Sequence, residues 1–165
     1  MDMDLGSTII GAIAIIICAF PFIMMSRSRK KREKKFLQSL LKITSQNDCQ
    51  INRHEISDNF AIGMDEPKNF VFFYRQIKGQ EVAHSIDLGE IQSCKVINTN
   101  RTIKRKEGDQ KVIDRLELCF IPKVRDKPEV KLEFFNAELS PQLFGELQSV
   151  EKWSKLINDQ LKQMQ

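Results

Sequence analysis

The polar and apolar positions of this chain follow three successive rhythms. From Leu5 to Met25 there is no charged residue, and LGSTIIGAIAIIICAFPFIMM runs for twenty-one positions. A helix rises about 1.5 Å per residue, so the run reaches roughly 30 Å, the thickness of a bilayer's hydrocarbon core. A membrane-spanning helix is therefore expected over residues 5–25. From Arg27 to about Ser45, Phe36, Leu37, Leu40, Leu41 and Thr44 recur three and four apart, which predicts one amphipathic helix. Its stripe has three available uses: lying on the lipid interface, dimerising, or packing on the rest of the chain. Packing is the expectation, since helices of compact proteins usually bury such a stripe.

After Asn47 the period changes to two. Strands are expected at Cys49–Ile56, Phe60–Met64, Phe70–Ile77, Glu81–Asp87, Ile91–Asn98, Lys111–Ile121 and Val130–Phe134. Proline, glycine and asparagine mark the turns Asp65–Asn69, Lys78–Gln80 and Arg125–Pro128, while Thr99–Gln110 reads as a longer polar loop. Phe72 and Phe73 are neighbours on one predicted strand and so face opposite ways. One side of that sheet then needs cover, from the closing helix or from a partner. The closing helix is read from Leu143, Leu147, Val150, Trp153, Ile157 and Leu161; Ser140-Pro141 is a plausible cap, but Gly145 moves the firm start to about Glu146. The fold class is α+β: an N-terminal transmembrane helix, then a seven-stranded antiparallel sandwich or barrel closed by a C-terminal amphipathic helix. The segments are 5–25 for the span, 26–46 for a basic juxtamembrane helix and 47–165 for the domain.

Charge adds an orientation. Asp2 and Asp4 precede the span, and Arg27, Arg29, Lys30, Lys31, Arg32, Lys34 and Lys35 follow it, opposed only by Glu33. The flank richer in Lys and Arg stays in the cytoplasm, so a single-pass protein of the cell membrane is expected, its N-terminus outside and its domain cytoplasmic. A cleaved signal peptide would carry its positive charge before the apolar run and a small-x-small site after it; neither is present. Residues 36–165 carry 19 cations and 19 anions, so the basic balance belongs to the juxtamembrane run and is not a nucleic-acid footprint. The seven cations are first a topology signal and, as a consequence, candidate contacts to anionic lipid. Arg101, Lys104, Arg105 and Lys106 of the polar loop are second candidates, for anionic headgroups or an acidic partner.

Catalytic signatures are missing from the sequence. Cys18, Cys49, Cys94 and Cys119 have no C-x-x-C spacing. His54-Glu55 begins like a zinc-protease motif, but Asp58 stands where the second histidine belongs. Asp87 with Glu90, or Asp114 with Glu117, are the only acid pairs worth weighing for acid/base work. No enzyme activity, metal or cofactor is expected.

Seven strands followed by one amphipathic helix, with Trp153 in that helix and Ser85-Ile-Asp-Leu-Gly-Glu-Ile91 at the fourth-to-fifth strand transition, resembles pleckstrin-homology-like domains over about Cys49 to Lys162. The order of anchor, basic linker and small domain is also similar to single-span bacterial membrane proteins. The resemblance implies recognition of lipid headgroups or protein segments. Phosphoinositide-binding members place basic residues at the first hairpin, whereas here that turn is Ser57-Asp58-Asn59. The expected partners are the lipid bilayer and another membrane or cytoplasmic protein, engaged by an adaptor or scaffold; the alternative is a sensor of anionic lipid.

Overall fold

A computed structural model describes residues 27, 29–105, 108–140 and 142–164. The predicted span lies outside the described residues; among the described residues, no helix is long and apolar enough to cross a membrane. Helix α1 (residues 29–46) is followed by strands β1 (Arg53–Ile56), β2 (Phe60–Asp65), β3 (Phe70–Ile77) and β4 (Gln80–Asp87). A 3-10 turn at Leu88–Glu90 leads to β5 (Ile91–Arg105), β6 (Gly108–Pro122), β7 (Val130–Asn136) and helix α2 (Glu146–Gln163). The strands form two antiparallel sheets, β1-β2-β3-β4 and β5-β6-β7.

The two central strands of the first sheet, β2 and β3, are buried on both faces. Phe60, Ile62 and Met64 of β2 and Val71 and Phe73 of β3 point into a central core, joined there by Leu116, Leu118 and Phe120 of β6 and Leu132 and Phe134 of β7. Strand geometry sends the alternate residues Ala61, Phe72 and Tyr74 to the other side. That side is covered by α1, not by the closing helix or a partner: Phe36 and Leu40 are fully buried on it, and the Phe36 ring meets Tyr74 edge-on at 5.3 Å. Gly63 makes the approach possible, since a Cβ there would lie 3.1 Å from Leu40 and from Ile51. The predicted helical stripe is thus used for packing, although Leu41 remains 48% exposed at its margin.

Helix α2 lies on the second sheet, burying Val150, Trp153, Ile157 and Leu161. Its start is held by Glu55 of β1, which accepts hydrogen bonds from Trp153 Nε1 at 3.0 Å, from Lys152 Nζ at 2.8 Å and from Ser149 Oγ. Its far end is held by Gln160, which donates to the backbone carbonyl of Glu66 at 3.0 Å. Midway, Asn158 clasps β5, accepting from the Cys94 N–H at 3.1 Å and donating to the Cys94 carbonyl at 2.7 Å.

The segment Thr99–Gln110 is the main correction to the sequence reading. It is not a loop: β5 continues to Arg105, and β6 begins at Gly108. Thr99 pairs with Arg115 and Asn100 with Ile113, so Asp114 is an extra residue, a bulge from which a two-stranded ribbon continues past the end of β7. The first strand is shorter than expected, because Gln50 gives its N–H to the Asp65 carboxylate instead of to a sheet partner.

Candidate functional site

Antiparallel order sorts the connections to two ends of the domain. One end gathers the β1–β2 turn (57–59), the two-residue β3–β4 turn, the exit of β7 and the start of α2. Lys78 and Gly79 both have positive φ, 50° and 83°, the conformation that closes a two-residue hairpin with the sheet's own twist. Lys78 Nζ reaches the Glu138 carbonyl at 3.5 Å, tying that turn to the segment after β7.

The first turns of α1 lie at the same end. Lys35 Nζ donates to Gln76 Oε1 at 2.9 Å and sits 3.8 Å from Glu81, and Arg32 Nη1 reaches the Asp58 carbonyl at 3.5 Å. Two open clefts result. One, of about 200 Å³, is lined by Arg29, Arg32, Glu33, Ile56, Ser57 and Asp58. The other, of about 370 Å³, runs from Arg32 and Phe36 past Asp58 and Asn59 to Gln76, Lys78 and Leu139.

All seven candidate cations of the basic run, Arg27, Arg29, Lys30, Lys31, Arg32, Lys34 and Lys35, are exposed on α1 or at its start. Of the second set, Arg101 and Lys104 are exposed on β5, Arg105 ends that strand, and Lys106 lies outside the described residues. Arg101 is partly neutralised by Asp114, 3.3 Å from its Nε. The ribbon bearing this set leaves the sheet where Ala137, just after β7, donates to the Asp114 carbonyl. Arg101 and Lys104 therefore belong, with the basic run, to the end that holds the start of α1, although no ion pair or hydrogen bond joins the two groups among the described residues.

The groups weighed for chemistry are dispersed. His54 and His84 lie on β1 and β4, the two edge strands of one sheet, and burial pushes the His84 imidazole below its ordinary range. Asp87 accepts from the Gly89 N–H at 2.7 Å as the cap of the 3-10 turn, while Glu90 pairs with Lys127 at 2.8 Å. Among the described residues no three His, Cys, Asp or Glu side chains are grouped to hold a metal.

Two charged groups at this end were not anticipated from the sequence. Burial is the largest influence on the Glu55 carboxyl and acts upward, but its hydrogen bonds from Lys152, Ser149 and Trp153 outweigh it and hold the group below its ordinary range. Arg75 is buried against Glu133, which also lies 3.3 Å from Arg115 Nε, and the Nε and Nη2 atoms of Arg75 have no partner among the described residues. Neither pairing carried a sequence signal: the partners are 58 to 98 positions away.

No family model matches the chain, and neither a curated protein nor a solved structure matches it.

Proposed function

We propose that this chain is a single-pass, membrane-tethered module with a pleckstrin-homology-like domain, acting as a protein–protein adaptor or scaffold at the inner face of the cell membrane. The observation that carries this reading is the way α1 is built into the domain. Arg27 follows Met25 by two residues, at most about 7 Å of extended chain. Phe36, Leu40 and Thr44 then fix the same helix on the first sheet. A span at 5–25 would therefore be joined to the domain by a short, stiff element, with one end of the domain turned to the bilayer. The four-plus-three strand arrangement and the buried Trp153 of the closing helix support the family likeness.

In this reading the opposite end faces the cytoplasm and is the surface offered to a partner. It comprises the β2–β3 turn, the β6–β7 connection and the end of α2, with a shallow cleft of about 240 Å³ lined by Asp48, Gln50, Asn52, Asp65, Pro67 and Lys68. Cross-linking with mass spectrometry on the full-length chain in its native membrane tests the proposal. Recurrent links from Lys68, Lys123 and Lys127 to one other protein are expected. Links within this chain alone would overturn the adaptor role.

Sensing of anionic lipid is a second reading, favoured by Arg101 and Lys104 lying at the same end of the domain as the basic run of α1. Its test is binding to anionic vesicles at low salt, where charge attraction is least screened. The soluble fragment for that assay must begin before α1, because a chain starting at residue 47 would lose Phe36 and Leu40 and open one face of the first sheet.

A further inference from the structure

Phe144 is 66% exposed, more than Leu41, Val82 or Val124, the other large apolar residues left open to solvent among the described residues. A fixed turn holds it there. Leu143 packs against the central core, Gly145 adopts φ 99°, and the Phe144 N–H is bound by the buried carboxylate of Glu146. One apolar residue is thereby turned inward and the next is presented outward by backbone geometry that a flexible loop would not need.

Its place in the fold says what it meets. Phe144 comes five residues after Leu139, which lines the larger cleft with Arg32 and Lys78, and five before Ser149, which is bonded to Glu55 beside the β1–β2 turn. It therefore stands at the end of the domain that holds the first turns of α1. An aromatic ring presented at the end of a domain that also carries cations suits the boundary between headgroups and acyl chains, where the ring finds apolar surroundings and the cations find phosphates.

We propose that Phe144 is an interfacial anchor. Its ring enters the headgroup layer of an anionic bilayer at the end of the domain that holds the first turns of α1 and pins that end to the lipid. The inference rests on the membrane-tethered reading and adds a contact that tethering alone does not require.

The test uses the full-length chain with Cys18→Ala, reconstituted in vesicles of phosphatidylcholine and phosphatidylglycerol. Cys49, Cys94 and Cys119 are buried, so a single introduced cysteine can carry an environment-sensitive fluorophore. Three positions are compared: Phe144→Cys, Arg29→Cys on α1, and Val124→Cys at the opposite end. Quenching by lipid-borne spin labels, with a blue shift of emission, is expected at 144 and 29 but not at 124. Quenching at 29 with a label at 144 as wet as that at 124 would overturn the anchor and leave the tether standing. No quenching at 29 or 144 would remove the tethered reading, and the anchor with it. In vesicles of phosphatidylcholine alone the signal at 144 should fall; an unchanged signal would overturn the requirement for anionic lipid.

Discussion

The domain has two hydrophobic cores that share the strands β2 and β3 but differ in construction. The central one is enclosed by both sheets and α2, and packs Phe60, Phe73 and Phe134 together with ring centroids 4.6 to 5.9 Å apart. The second is a single helix laid on the outer face of one sheet, with Phe36, Leu40, Ala61, Phe72 and Tyr74 as its buried centre. Loss of a central residue removes support from three layers at once. Loss of a second-core residue removes one helix, the very helix that carries the basic run. The difference separates what holds the domain together from what fixes the basic helix to it.

The largest expected effect comes from Trp153→Ala. It opens the central core and strips Glu55 of one partner, at a cost of about 3–5 kcal/mol. A single cooperative loss of both sheets in thermal unfolding followed by circular dichroism is the expected outcome; loss of α2 alone would show the cores to be less connected than described. Leu40→Ala should cost about 2–4 kcal/mol, but locally. Hydrogen exchange should rise across residues 29–46 while β2 and β3 stay protected, since Phe60, Ile62 and Phe73 keep their central partners. Equal loss of protection in both would erase the distinction between the cores.

Glu55 gives a smaller, pH-dependent effect. Its carboxyl lies below the ordinary range when folded, so its contribution is full above the unfolded value and is lost as pH falls from there through the folded value. Melting temperature should drop over that acidic window, and Glu55→Gln should flatten the slope while leaving the acid limit nearly unchanged. The smallest effect is that of Phe144→Ser. With its ring already in solvent, stability in the soluble state should change by no more than about 0.5 kcal/mol, measured by chemical denaturation of a fragment that retains α1. A large loss would mean that the ring packs inside the domain.

The sequence was most legible where an element packs against a core. β3 has the expected bounds, Phe70–Ile77, and α2 starts at Glu146 as Gly145 suggested. The β5–β6 ribbon was missed because no core lies under it: Arg101, Thr102 and Lys104 stay exposed, so apolar alternation could not announce a strand. Its pairing comes from backbone bonds, to which hydropathy is blind. Cover for Phe72 was sought from the closing helix or a partner, although α1, whose stripe was already legible, supplies it. The seven cations of the basic run were plain from charge alone. Phe144 was not, because a phenylalanine in a turn reads the same whether its ring is buried or presented.

Asn158 bears on a different hazard. A strand at the rim of a sheet offers free donors and acceptors to any passing chain, a common beginning of aggregation. By taking both the N–H and the carbonyl of Cys94, the amide of Asn158 imitates one residue of a neighbouring strand and closes the rim of β5 at that point. A self-made plug of this kind keeps copies that meet edge to edge from stitching together at that point.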